Sequence, residues 1–429
     1  MAPYRILLPV GLGTALSLIG DVSLYTVLPT YTAEAGVLLA SVGILLSANR
    51  FIRLGTNGLV GWLCDRWSQP RVFVLALFLG ALSTAVYAFT RGFWPLLAGR
   101  LLWGIAWSGI WIAGNGIVLN AAGIANRGRW VGYYHVAFFL GTSVGALLGG
   151  ALTDWLGYHQ AMAIAAGLAL LGALIAWLFL PEEVGDWRLE VPNLQSPMEH
   201  RTIADGVSDN PRWDIDQSPI SNLPTIEPAA MTRANVAEMA SATALLGVSR
   251  LVVAGFMVST LGLFLLERLG ESVVVSGQTL GVATLTGLGL GLSTLLSMLA
   301  AAFLGNLSDR ADSRWRVAAA GLIPGIVGFG LMAWGTPVAI LSGLLLTAVT
   351  SGSNQGLATA LIGDLSRDTT RGRWLGVLYT VGDLGSAIGP PLAYALIPFW
   401  GPPGLYWLSL AILAFMLLAA VPWVILARR

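Results

Sequence analysis

The chain reads as an all-α polytopic membrane protein of twelve transmembrane helices in two pseudo-symmetric halves of six. Three observations carry that reading. The 429 residues are 56% hydrophobic and 10% charged, with a mean hydropathy of +0.75 and 53 glycines, which excludes an ordinary soluble globule. Apolar runs of roughly 20 residues, the length a helix needs to cross a ~30 Å hydrocarbon core, recur from end to end. The third observation is an internal repeat. Gly61, Leu63, Asp65 and Arg66 return 244 positions later as Gly305, Leu307, Asp309 and Arg310. Arg127, Gly128, Arg129, Trp130 and Gly132 return as Arg371, Gly372, Arg373, Trp374 and Gly376, and Gly141 and Gly145 as Gly385 and Gly389. Blocks that share one offset mark a duplicated structural unit.

The first half, residues 1–181, holds apolar runs at 6–28, 37–62, 71–89, 94–121, 130–152 and 161–180. The second half, 242–429, holds runs at 242–266, 275–304, 316–334, 337–363, 374–398 and 402–426. Backbone groups in lipid must be satisfied within their own segment, so uninterrupted apolar runs of this length are expected as helices. The first run is long and contains Asp21, which favours a retained helix over a cleaved leader. Residues 182–241 differ in kind, with eleven of the 22 acidic residues and six prolines. They are expected to form a flexible cytoplasmic linker, disordered or in short surface helices.

Orientation rests on arginine, because the chain has no lysine. With the termini in the cytoplasm, Arg5, Arg66, Arg71, Arg127, Arg129, Arg310, Arg314, Arg316, Arg367, Arg371, Arg373, Arg428 and Arg429 lie inside, and only Arg91 and Arg268 lie outside. The positive-inside rule favours that topology. Trp94, Trp155, Trp334 and Trp400 then mark the outer interface, and Trp67, Trp130 and Trp374 the inner one. Cys64, the only cysteine, leaves no internal disulfide and no cysteine metal cluster.

Twelve spans in two halves, with Gly-x-x-x-Asp-Arg after the second and eighth, resemble the major facilitator superfamily over the whole chain except the linker. Gly61, Asp65 and Arg66 fit that motif, while Ser68 and Gln69 replace its later Gly and Arg, with Arg71 as a stand-in. The second copy keeps Gly305, Asp309 and Arg310 and departs at Asp312 and Ser313, with Arg314 and Arg316 keeping the loop basic. The resemblance implies that Asp65 faces the start of the eleventh span near Arg373, and that Asp309 faces the start of the fifth near Arg129. There a carboxylate meets unpaired helix N–H groups and latches the cytoplasmic side. Gly141-x-x-x-Gly145-x-x-x-Gly149-Gly150 resembles the glycine-rich fifth helix of antiporters in this superfamily, with Ala146 in place of its proline; the copy at Gly385 and Gly389 retains Pro390. These glycines are helix-packing candidates.

Charges inside the bilayer are costly and mark function. Asp21, Arg50, Arg53, Arg100, Arg250 and Asp383 are the candidates, Arg250 ranking lower because it lies near the cytoplasmic end of its span. Arg50, Arg53 and Asn57 share a ~60° sector of one helix face, beside Asn49. Asp21 lies at a depth where Arg50 can reach it. Such a pair either ties the first two spans together or tunes a proton-exchanging carboxylate. One carboxylate cannot neutralise two guanidiniums, which favours an anionic ligand, and Arg53, farther from Asp21, is expected to be the free cation. Arg100 and Gly104 resemble the Arg-x-x-x-Gly pattern of proton-coupled members, so Asp21, Asp383 and Arg100 are the proton-coupling candidates. Trp107 and Trp111, on the face of Arg100, with Asn115, Asn354 and Gln355, complete the substrate-binding candidates.

The expected function is secondary active transport by alternating access: proton-coupled efflux of a small organic molecule, with proton-coupled uptake of an organic anion as the alternative and a non-transporting receptor or scaffold as a third class. His135, His159 and His200 are scattered, and no nucleophile-base spacing or phosphate-binding loop is present, so neither an enzyme nor an ATP-driven pump is expected. No cofactor or metal is expected. The expected partners are substrate, protons and membrane lipids, with no nucleic acid, and the protein is expected as a monomer in a bacterial inner membrane.

Overall fold

The computed structural model describes residues 4–122, 126–181, 233–275, 277–311, 313–366 and 370–426, so the linker reading for 182–232 lies outside the described residues. The first half contains α1 (Tyr4–Val27), the short α2 (Thr32–Ala35), α3 (Leu39–Arg66), α4 (Gln69–Phe89), α5 (Phe93–Ala121), α6 (Arg127–Leu156) and α7 (Tyr158–Phe179). The second contains α8 (Arg233–Ser249), a π-helical stretch (Arg250–Met257) and α9 (Val258–Leu269) in one continuous span, then α10 (Val282–Arg310), α11 (Arg314–Trp334), α12 (Pro337–Leu365) and α13 (Arg371–Leu426). Among the described residues, ten helical stretches are long and apolar enough to cross a membrane. α13 supplies two of the spans, because Gly401 (φ +63) breaks it. α3 completes the twelve; its 28 residues reach across, but Arg50, Arg53, Asp65 and Arg66 lower its apolarity.

Two boundaries differ from the sequence reading. The seventh span begins at Arg233 and not at 242, because Arg233-Ala-Asn-Val-Ala-Glu-Met-Ala is rich in helix formers. The eighth helix begins at Val282 and not at 275. Ser272–Val275 and Gln278–Gly281 pair instead as an antiparallel hairpin, β1 and β2, turning at Gly277 (φ +82). A run of three valines followed by Ser-Gly favours a strand and turn over a helix start.

Within the halves α1 packs on α6 and α7, α4 on α5 and α7, α11 on α12 and α13, and α10 on α12. Each half buries its own apolar core. The halves meet along two antiparallel seams, α3 with α13 and α6 with α10. Away from the termini these seams are closed to backbone contact. A Cβ on Gly43 would lie 2.6 Å from the Pro390 carbonyl oxygen, one on Gly150 2.0 Å from that of Ala283, and one on Gly287 2.2 Å from that of Ala146. Toward the end that carries the chain termini the same four helices splay. Gly55, Gly58 and Gly61 on α3, Gly132 on α6, Gly305 on α10 and Gly376 on α13 have no atom within 4 Å of where a Cβ would sit. The fold thus encloses a central cavity, shut at the far end and open at the terminal end.

Candidate functional site

The closed part of the α3–α13 seam ends at two arginines spaced one turn apart, facing two residues spaced likewise. Arg50 Nη1 donates to the carbonyls of Ser386 and, at 3.3 Å, Ala254. Both acceptors are left over from helix irregularities. Ser386 stands four residues before Pro390, which has no N–H to return, and Ala254 lies in the π-helical stretch. Arg53 Nη2 makes a 2.9 Å salt bridge to Asp383 Oδ1, joining the halves. Arg250 comes within electrostatic reach of Asp383, Arg50 and Arg53, and its Nη2 donates to Gln355 Oε1 at 2.9 Å. Beyond this point Gly58 and Gly61, on the side of α3 that carries Arg50, border open space, so the group sits at the apex of the open cavity. Among the described residues, three guanidiniums therefore converge where one carboxylate is present.

Several expectations change here. Asp21 pairs with Arg100, not with Arg50. Arg100 is wholly buried, its Nε donates to the Leu45 carbonyl at 3.0 Å, and its guanidinium lies 4.9 Å from the Tyr25 ring centroid. Gly104 makes this possible, since a Cβ there would meet the Asn49 carbonyl oxygen at 2.5 Å; α5 can approach α3 only without one. Arg53, expected to be free, is paired, while among the described residues Arg50 has backbone carbonyls and the Tyr25 ring, 5.0 Å away, but no carboxylate. Arg250 is no end-of-span residue, because the earlier start of α8 places it about 25 Å along the helix.

The neutral candidates divide. Gln355 belongs to the apex through Arg250. Asn57 is exposed below it and accepts from Ser108 Oγ at 2.7 Å, and Asn115 Nδ2 donates to the Trp111 carbonyl on its own helix. Asn49 is buried under the Tyr25 hydroxyl, 3.3 Å away. Asn354 is buried between α12 and α11, where its Oδ1 would lie 3.7 Å from a Cβ on Gly321, and so faces the interior of the second half. Trp107 and Trp111, half-buried, stack at 5.6 Å, and Trp111 stacks on His135 of α6 at 5.3 Å with Phe138 at its edge. His135 is therefore part of the aromatic column, a neighbour that its position in the sequence did not reveal.

At the open end the paired-motif residues stand apart. Asp65 and Arg373 are exposed, and Arg66 stacks on Trp62 at 4.2 Å. Asp309 binds Arg314 at 2.6 Å inside its own half, and Arg314 also binds Asp364. Asp309 does not face the start of α6, where Arg129 Nε donates to the Tyr133 hydroxyl at 2.8 Å. Gly61 and Gly305 border open space, Arg310 is exposed, and Arg71 lies exposed in the first turn of α4. The glycine motif lies against α1. Cβ atoms on Gly141, Gly145 and Gly149 would meet Ala15, Ile19 and Ser23, and Gly385 and Gly389 approach Gly247 and Gly255 as closely.

This architecture agrees with comparison to known proteins. The family model described as Major Facilitator Superfamily matches residues 10–294 and 251–429, and the chain belongs to that family of membrane transporters. The chain is 28% identical over 163 residues to a "Probable 4-methylmuconolactone transporter" of Cupriavidus pinatubonensis, a match covering 37% of each chain. It is 30% identical over 125 residues to the "Uncharacterized MFS-type transporter YcaD" of Escherichia coli, covering 29% of this chain and 33% of that one. These matches thus span about a third of the relatives' own length. In fold it resembles a bacterial homologue of the human lysosomal transporter Spinster, crystallised in an inward-facing and occupied conformation. That likeness has a TM-score of 0.74 at 17% identity and covers 100% of this chain and 98% of that one.

Proposed function

We propose that this transporter carries a small organic anion by alternating access, coupled to protons, with the open end of its cavity on the cytoplasmic side. The excess of guanidinium over carboxylate at the apex carries the anionic reading: among the described residues, Arg50, Arg53 and Arg250 gather around the single carboxylate of Asp383. A buried cation without a counter-charge is costly, and an anion entering the cavity relieves that cost. The column of Trp107, Trp111 and His135 offers the organic part of the ligand an apolar wall. The arginine distribution of the loops supports the orientation.

The coupling carboxylate is Asp383 and not Asp21. Neutralising Asp21 would strand wholly buried Arg100, whereas Asp383 is 30% exposed at the cavity and shares its cations with any incoming anion. Asp383 occupies the place of the substrate's carboxylate on Arg53. When the substrate displaces it, the released carboxylate, facing low dielectric without its partner, takes a proton. Anion and proton then bind together and travel together, so an inward proton gradient drives uptake. Proton-coupled efflux is the second reading, favoured by the glycine-rich contact of α6 with α1, which resembles the antiporter motif.

Counterflow into proteoliposomes tests both readings, with a library of organic anions and cations that includes 4-methylmuconolactone, assayed with and without a pH gradient. Accumulation of anions under an acidic exterior is expected. Selective counterflow of cations would overturn the anionic reading, and anion extrusion against an acidic exterior would install efflux.

A further inference from the structure

The second seam is closed by a carboxylate that reaches across it. Asp154, two residues before the end of α6 in the first half, accepts through Oδ2 from the backbone N–H of Thr284 at 2.7 Å and from its hydroxyl at 2.6 Å. Thr284 lies in the first turn of α10, in the second half. Asp154 Oδ1 accepts from the Tyr31 hydroxyl at 2.9 Å. Burial first, then the hydrogen bond to Asp154 and its charge, push the Tyr31 pKa upward, so this hydroxyl stays protonated and keeps donating.

Helix starts leave N–H groups unsatisfied and carry partial positive charge. α10 has no cap of its own, because the residue at its N-cap is Gly281, without a side chain to accept. A Cβ there would lie 2.3 Å from Asp154 Cγ, so the glycine vacates the space the carboxylate fills. One half of the molecule thus caps a helix of the other. The contact exists only while α6 and α10 are together at the far end, where Gly150 and Gly287 bring the two backbones into contact. The motion that opens this end separates them.

We propose that Asp154 is the far-side gate of this transporter, a cross-half helix cap that holds the cavity shut away from the termini and must be released for the opposite conformation to form. The gate is electrostatic as well as steric: it sets the carboxylate against both the amide dipoles of the α10 start and the donor hydroxyls of Thr284 and Tyr31. It lies on the seam opposite the arginine apex and does not depend on the identity of the substrate.

Spin labels at Gln160→Cys and Gln278→Cys, exposed positions on either side of the seam, report the far-side distance in a Cys64→Ser background. Asp154→Ala should enlarge the long-distance population roughly tenfold, within the range by which losing a helix cap shifts an equilibrium. Asp154→Asn, which keeps an acceptor oxygen but not the charge, should give a smaller shift in the same direction. Thr284→Val removes the hydroxyl donor across the seam, is mild enough to fold, and should shift the population about twofold, whereas Tyr31→Phe, whose bond to Asp154 lies within the first half, should shift it less. A far-side distribution unchanged in Asp154→Ala would overturn the gate. If Asp154→Ala does not fold, an unchanged distribution in Thr284→Val would overturn it as well.

Discussion

Among the described residues, two ion pairs stand within the membrane-spanning helices, away from their ends, and they differ in almost every respect. Asp21–Arg100 lies inside one half; its cation is wholly buried, and its Nε and Nη2 donate to the α3 carbonyls of Leu45 and Leu46. Arg53–Asp383 joins the two halves, its side chains are 15% and 30% exposed, and two further guanidiniums crowd it. The first is complete and can only be damaged. The second has unbalanced charge and an open approach, so it can exchange partners. An intramembrane charge alone is therefore no guide to function; what separates a brace from a switch is whether the pair is closed, and whether its partners belong to bodies that move.

The largest expected effect falls on the brace. Asp21→Asn should cost about 3–5 kcal/mol of stability, as breaking a buried pair from one side does, and should lower the thermal midpoint in detergent with or without ligand. A variant of unchanged stability that loses gradient-driven transport would reverse the roles given to the two pairs. Next comes Arg53→Gln, which should weaken binding of an organic anion by about 1.5–3 kcal/mol, the strength of hydrogen bonds to charged groups, and leave the thermal midpoint near that of the wild type. Equal loss of stability in both variants would erase the distinction. Gly104→Ala sharpens the brace further: the added methyl must displace α3 backbone, so about 1–3 kcal/mol of overpacking is expected by thermal unfolding, against little for Gly61→Ala in open space. The smallest effect belongs to the surface network at the open end. Asp309→Asn should change stability by less than about 1 kcal/mol, because its carboxylate is 64% exposed.

Much of the fold was legible in the sequence, since apolar length and a shared repeat offset report directly on spans and halves. The charges were legible as a set but not as pairs. Depth along a span suggested Arg50 for Asp21, yet lateral order decides partners: Gly104 brings α5 onto α3 and delivers Arg100 instead. Arg53 and Asp383 lie 330 positions apart on helices whose facing register no local pattern records. Ser386 offered a readable cue, because Pro390 four residues on must leave its carbonyl without an amide. Arg250 was misplaced in depth because the acidic, proline-containing composition of the linker masked a helix start at Arg233. Asp154, just past the apolar run at 130–152, gave no signal by itself, and Gly281 fell inside the run expected from 275, so the uncapped start of α10 was hidden as well.

The exchange of Asp383 for a substrate carboxylate is tested most directly by counting protons on binding. Benzoate, with benzamidinium as the cation of matching shape, is added to the purified, weakly buffered protein at pH 7 while the pH is recorded. Uptake of up to about one proton per bound benzoate is expected, by linkage between the two sites, together with none in Asp383→Asn, which should bind benzoate more tightly than the wild type. Benzoate binding without proton uptake, or binding weakened by Asp383→Asn, would contradict the exchange, and binding of benzamidinium in place of benzoate would contradict the anionic site itself.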